Sequence, residues 1–243
     1  MQIEEDYDLL NLENFNLTNS DVKTKVLYWK LVDKKWSEVK NQIGQKWVEK
    51  QYLTGNYKTT LLRLHNATTI VSNKVSDLNW KIFHGGLITQ TLAKTFKISD
   101  GKCPICGQDE TLDHAVFECK YVKEMWKKCK LYLVRKHSLN NGTDMKKMAI
   151  AGTDNDNNEI SDINYCVTSY MKYTIWNIRN SVVFDKIDVT LQSYIMQLKC
   201  SLLSWINTLY FMYKMKNKTA EFTDRFSRLV RIEDHKCTFV SFL

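Results

Sequence analysis

A mostly α fold, in which a small helical domain stapled by zinc is followed by a helical hairpin, follows from three observations on the sequence. Glycine is scarce, with 8 residues in 243, and the single proline is Pro104. Little of the chain therefore carries turn punctuation, and nearly all of it is free to be helical. Apolar residues recur at helical spacing over long stretches, with little of the alternation that marks strands. Finally, Cys103, Cys106, His114 and Cys119 crowd into one short segment of a chain that has only 7 Cys and 5 His.

The first twenty residues are acidic and Asn-rich, with scattered Leu and Phe, the composition of a loosely docked arm. Thr18, Asn19 and Ser20 are candidate N-caps for a helix carrying Val22, Val26, Trp29 and either Val32 or Leu31, and a second helix is expected over Trp36 to Tyr52. Together they place Trp29, Trp36 and Trp47 on apolar, core-facing sides. Residues 54–75 are rich in Thr and Asn and are expected as loop with room for a short strand or helix. Ser76 and Asp77 then cap a short helix through Leu78, Trp80, Ile82 and Phe83; Gly85-Gly86 ends it, and Ile88 to Phe96 forms the next.

Residues 102–120, KCPICGQDETLDHAVFECK, follow at once with the spacing C-x2-C-x7-H-x4-C. Two thiolates separated by two residues grip one metal from a tight turn, which Gly107 lets the chain leave, and a His and a Cys five positions apart complete a tetrahedron from a helix. Such a closed shell suits zinc and leaves no open position for water or substrate. The site is structural and not hydrolytic. A helix is expected to start at Thr111, carry His114 and close at Cys119.

A longer helix is expected over Lys120 to Lys136. Val122, Met125, Trp126, Cys129, Tyr132 and Leu133 share its apolar face, while Lys120, Lys123, Lys127 and Lys130 line roughly the opposite one, with Lys97 and Lys102 close by in sequence. Residues 138–160 are polar and turn-rich, a boundary between domains. Two helices follow, Ile163 to Phe184 and Leu191 to Tyr213. The second holds the most regular apolar stripe in the chain, through Leu191, Ile195, Leu198, Leu202, Trp205, Ile206, Leu209 and Tyr213. The expected layout is an acidic arm over 1–20, an N-terminal helical segment over 21–75, the zinc-binding domain over 76–137, a polar linker over 138–160, the hairpin over 161–218 and a tail over 219–243.

The formal charge of +8 is unevenly spread. Residues 1–21 hold six acids and no Lys or Arg, so residues 22–243 set 35 Lys and Arg against 21 Asp and Glu, a net +14. That field suits a polyanionic partner, nucleic acid ahead of an acidic membrane surface. Beyond the ligand set, Cys129, Cys166, Cys200 and Cys237 are widely dispersed, which fits a reducing compartment better than a disulfide framework. The acidic start lacks the layout of a signal peptide, and the longest uncharged run, Cys200 to Tyr213, is too short to span a bilayer. An intracellular protein with no membrane partner is expected.

Catalytic signatures are missing. There is no phosphate loop of the G-x-x-x-x-G-K-[ST] type, no G-x-G-x-x-G, G-x-S-x-G or H-E-x-x-H, and no Asp-Asp pair for two polymerase magnesium ions. The acids of residues 154–162 read as a solvated loop. The chain is expected not to be an enzyme.

The segment NWKIFHGGLITQTLAKTFKISDGKCPICGQDETLDHAVFECKYVKEMW, residues 79–126, resembles the zinc-binding domain found downstream of the reverse transcriptase in LINE-type (non-LTR) retrotransposons. The likeness lies in a Trp-bearing helix, a Leu-bearing helix, the C-x2-C turn, a Glu-Thr-Leu step before the ligand His, a Phe-Glu-Cys ending and a Trp seven positions after the last Cys. IWNIRNSVVF, residues 175–184, resembles the Trp-x-x-Arg-Asn segment that follows the domain in such elements. The resemblance implies zinc on Cys103, Cys106, His114 and Cys119, a role in binding nucleic acid during target-primed reverse transcription, and a nuclear place of action. The polymerase and endonuclease of those elements have no counterpart here, so the chain reads as a detached module or a retroelement remnant. Two functions are expected to compete: weakly sequence-specific RNA or DNA binding through Lys97, Lys102, Lys120, Lys123, Lys127 and Lys130, or docking of a helical partner or a second copy on the 191–213 stripe.

Overall fold

The computed structural model describes residues 69–242, all within the second of the two units into which the chain divides, Ile43–Leu243. The expectations for the acidic arm, for the helices around Trp29, Trp36 and Trp47, and for the loop up to residue 68 lie outside the described residues. Within them the chain is mostly α, with one two-stranded hairpin near the C-terminal end.

Helix α1, Asn73–His84, starts three residues earlier than Ser76 because Val75, 1% exposed, adds another apolar turn below Leu78 and Ile82. It ends as expected at Gly85, whose φ of 71° is a left-handed conformation that costs glycine nothing; Gly85 and Gly86 N–H groups close onto the carbonyls of Ile82 and Lys81. Helix α2, Gln90–Thr95, is shorter than Ile88 to Phe96. Thr89 caps its start, the backbone turns left-handed at Lys97 (φ 59°), and Ala93 is its one buried side chain. Helix α3, Lys120–His137, matches its expected span. Its core face, Val122, Met125, Trp126, Cys129, Tyr132 and Leu133, is buried as the periodicity implies.

The expected linker over 138–160 contains a helix. Asp144 caps α4, Met145–Ala151, by accepting from the Lys146 and Lys147 N–H groups at 2.8 and 3.2 Å. Met148, Ala149, Ile150 and Ala151 are all buried in the same core as α1 and α3. The helix is only seven residues long, and the polar turns on both sides mask its short apolar run.

Helix α5, Asp162–Asn180, is the centre of the packing. Side chains on every side of it are buried, from Ile163 through Val167, Met171 and Ile175 to Arg179, the mark of an internal helix. Helices α1, α3 and α4 all pack on it, as do the longest helix of the described residues, α6, Leu191–Met215, and a later helix, α7, Thr219–Phe226. Asn79 of α1 donates to Ser169 of α5 at 3.0 Å, and Lys172, 3% exposed, donates to the Ala149 carbonyl at 2.6 Å at the end of α4. Burial pushes the Lys172 ammonium down to about 7.

The inner residues of the 191–213 stripe are core. Leu198, Leu202, Ile206 and Leu209 are at most 2% exposed and belong to the cluster that also holds Val71, Met125 and Ile175. Leu191, Ile195, Trp205 and Tyr213 of the same stripe are partly buried against that cluster, and α5 and α3 both pack on this helix. The tail expected over 219–243 forms α7, Thr219–Phe226, then strands β1, Val230–Glu233, and β2, Lys236–Phe239, paired antiparallel across Asp234 and His235, both at positive φ. The Asn207 side chain of α6 accepts from the Cys237 N–H at 2.8 Å, holding the hairpin against the long helix.

At the end of α3, His137 is 6% exposed and neither ring nitrogen has a hydrogen-bond partner. Burial, with Arg228 and Lys136 nearby, pushes its imidazole from the ordinary 6.5 down to about 4. A base held neutral in the folded state contributes stability above the unfolded-state value and loses it as pH falls toward the folded one. Stability is therefore expected to fall between about pH 6.5 and 4, by about 1–2 kcal/mol once solvent screening is allowed for, and His137→Gln to flatten that slope in denaturant titrations run across this range.

Candidate metal centre

The first half of the centre is a small hairpin. Lys102 and Asp109 pair as an antiparallel bridge, the Cys103 N–H donates to the Gln108 carbonyl at 2.7 Å, and the Gly107 N–H returns to the Cys103 carbonyl at 2.8 Å. Gly107 sits at φ 74°, so the chain reverses there without strain. This turn presents the sulfurs of Cys103 and Cys106 on one side.

The second half was expected as an ordinary helix carrying His114, and here the structure differs. His114–Glu118 form a π-helical turn, closed by the Cys119 N–H on the His114 carbonyl at 2.8 Å. The ligand spacing is the reason. Residues five apart on an α-helix point about 140° away from each other, whereas an i to i+5 hydrogen bond brings them to one side. The Thr111 hydroxyl accepts from the His114 N–H at 3.1 Å and fixes where the turn begins. Trp126 of α3 fixes its middle, donating from Nε1 to the Val116 carbonyl at 2.8 Å.

The four ligand atoms meet. Cys103 and Cys119 Sγ are 3.8 Å apart, Cys106 Sγ lies 3.2 Å from His114 Nε2, and all four atoms fall within 4.8 Å of one another. A tetrahedral ion with zinc–sulfur bonds of about 2.3 Å places two sulfurs about 3.8 Å apart, so the donor set fits zinc in number, chemistry and spacing. Cys103, His114 and Cys119 are buried and Cys106 half-buried. The hydrogen bond from Cys119 pushes the Cys103 thiol down to about 4, and the same contact, with burial, pushes Cys119 up. Two buried sulfurs that contend for one proton in this way are relieved by a divalent cation that neutralises both thiolates. Zinc is the cofactor of the domain. Among the described residues this is the one cluster of three or more metal-ligand side chains.

The centre is bolted to the hairpin beyond it. Glu110, fully buried, receives Arg179 of α5 in a two-pronged contact, Nη2 to Oε2 at 2.6 Å and Nε to Oε1 at 3.1 Å. Glu110 Oε2 also accepts the Gln90 N–H at 2.8 Å, which binds the first turn of α2. Arg179 lies 4.8 Å over the Trp176 ring and donates to the Asn180 side chain at 3.0 Å. Tyr194 of α6, entirely buried, has its hydroxyl pushed up by burial and by the nearby Cys119 and Cys103.

The lysines expected to meet nucleic acid separate into two groups. Lys97, Lys120, Lys123 and Lys127 are exposed, although Lys127 also pairs with Glu124 at 2.7 Å. Lys130 is half-buried and spends its ammonium on the Thr143 carbonyl at 2.9 Å, and Lys102 is held by Asp109 at 2.8 Å within the cysteine hairpin. The chain segment after α3 folds back beneath Lys130, which the helical wheel does not foresee. Sequence reasoning passed over Lys128, exposed on the same helix, and the partnership of Glu110 with Arg179. The Glu-Thr-Leu and Trp-x-x-Arg-Asn segments each carried one half of that pair. The acids of 154–162 do not gather: Asp154 accepts from the Asp156 and Asn158 N–H groups, and Asp162 pairs with Arg225 at 2.6 Å.

Residues 55–126 match a family model described as zinc-binding in reverse transcriptase. Over 123 residues the chain is 30% identical to a Xenopus laevis protein described as the transposon TX1 uncharacterized 149 kDa protein, a match covering 46% of this chain and 8% of that protein. The chain thus spans under a tenth of the relative's length. No solved structure matches.

Two outcomes are expected at this centre. Metal analysis of the purified chain gives about one zinc per molecule, and Cys103→Ser or a chelator lowers the melting temperature; acidification releases the metal, because bound thiolates must take back protons. Glu110→Ala leaves Arg179 buried without its partner and costs about 3–5 kcal/mol in denaturant unfolding; a loss below about 1 kcal/mol contradicts the role given to the pair.

Proposed function

We propose, from the premise that residues 55–126 are a zinc-binding domain of the reverse transcriptase type, that the chain is a non-catalytic module that binds RNA or DNA with little sequence preference. The observation that carries the reading is the exposed side of α3. It starts at the ligand Cys119 and bears Lys120, Lys123, Lys127 and Lys128 with Glu124 as its one acid. The metal fixes the origin of this helix, so the four ammonium groups are displayed at set distances from the centre and need little ordering when a backbone of phosphates arrives.

The closed ligand shell and the absence of catalytic motifs support a non-catalytic role. No described helix is long and apolar enough to cross a membrane. The relative is a transposon protein, and a nuclear place of action goes with that likeness. The competing reading, a docking module built on the 191–213 stripe, is the weaker of the two, since Leu198, Leu202, Ile206 and Leu209 of that stripe are already buried within the chain.

Binding of this kind is dominated by counterion release. Affinity for a duplex is expected to fall steeply with salt, with a slope of about −0.9 per phosphate neutralised. The triple variant Lys120→Ala, Lys123→Ala, Lys127→Ala should lower that slope by about three. Lys130→Ala should leave it unchanged, its ammonium being committed to Thr143. An affinity indifferent to salt in fluorescence anisotropy overturns the proposal.

A further inference from the structure

The far end of α3 carries a feature that the phosphate-binding face does not use. A shallow cavity of about 320 Å³ lies between the last turns of this helix and the chain after β2, and its lining includes Lys128, Tyr132, Arg135, Lys136 and Phe242, with no carboxylate side chain among the described residues that line it. Two aromatic rings form a corner of it: Tyr132 and Phe242 meet edge to face with centroids 5.1 Å apart, and Phe242 is backed by Phe239, stacked at 4.4 Å. The Tyr132 hydroxyl is buried and has no hydrogen-bond partner. A buried hydroxyl is rarely left so without cause.

Three cations without an acid select an anion, and an aromatic corner selects a flat ring. Inorganic phosphate would use only the first property and an aliphatic acidic side chain would leave the second idle. A nucleotide uses both, with the ring on the aromatic corner and its phosphate on the guanidinium and ammonium groups. The volume is at the small end of ligand pockets, about 300 Å³ and upward, which suits a single nucleotide unit.

The cavity is also continuous with the charged ridge. Lys128 and Arg135 lie seven positions apart, two turns of one helix face, and Lys120 to Arg135 spans about 22 Å at 1.5 Å per residue. The geometry points to a nucleotide-binding site formed by Tyr132, Phe242, Lys128, Arg135 and Lys136, which takes one unstacked base of a single strand whose neighbouring phosphates follow α3 toward the metal centre. The choice of a strand over a free nucleotide rests on the nucleic-acid reading above; the pocket itself does not.

The test uses the full zinc-loaded chain, with AMP, inorganic phosphate and a short oligothymidylate as probes, followed by calorimetry and anisotropy. Phe242→Ala is expected to weaken oligothymidylate binding by at least about fivefold with its salt slope unchanged, Phe242→Tyr to restore it, and Arg135→Ala to lower the slope by about one. Arg135 is a surface residue of α3, so its variant tests the site even where Phe242→Ala loosens the chain end, which circular dichroism reports. If the strand binds with the expected salt slope but neither Phe242→Ala nor Arg135→Ala alters it, the pocket assignment fails while the phosphate-face reading stands. If no strand binds yet AMP does, and Phe242→Ala abolishes it, the pocket stands and the nucleic-acid reading fails. Inorganic phosphate competing as well as AMP shows an anion site without base recognition and overturns the assignment.

Discussion

The contact between Glu110 and Arg179 is the constraint on which the rest of the molecule depends. It joins the zinc segment to the central helix across 69 positions of sequence, and both partners are removed from water. Burying such a pair is costly unless the geometry is good and the remaining hydrogen-bonding capacity is used. Both conditions hold: the contact is two-pronged, Glu110 also receives the Gln90 N–H, and Arg179 lies over Trp176 and reaches Asn180. Such a pair adds less to raw stability than to uniqueness, since any other docking of α5 on the zinc segment would leave one of the two charges unpaired.

The metal centre and this ion pair solve complementary problems. Zinc fixes the local path of the segment from Cys103 to Cys119, bringing a hairpin turn and a π-helical turn to one point. The ion pair then fixes where that assembly sits on the larger helical core. Trp126 and Tyr194 complete the connection from α3 and α6, one by a hydrogen bond to the π-helical turn and the other by packing beside the buried sulfurs. The direction of α3 is thereby set at its first residue, and with it the position of every cation the helix displays.

The exposed chemistry divides along that same helix. Near the metal it is predominantly cationic, with Glu124 as its one acid, and toward its end it becomes cationic and aromatic. A helix held at one end by zinc and at the other by the core can present both at a fixed separation, which a flexible basic tail of equal charge does not.

The four metal ligands, their geometry class and the largely helical character of the described residues were all legible in the sequence, because they are local matters. Ligand chemistry requires particular side chains at particular spacings, and the apolar period of α3 and α6 reports directly which side is buried. The helix inside 138–160 and the hairpin over 230–239 escaped notice because each is short and surrounded by polar residues, and only a neighbour's surface makes such segments fold. Tertiary structure alone decided three further things. It turned Leu198, Leu202, Ile206 and Leu209 of the 191–213 stripe inward, since α5 and α3 were available to cover them. It diverted Lys130 from the exposed face by supplying the Thr143 carbonyl, and it paired the exposed Lys102 with Asp109. And it joined Glu110 to Arg179, a pairing that no local pattern encodes because the energy that selects it, the cost of an unpaired buried charge, exists only once the chain has closed around both residues.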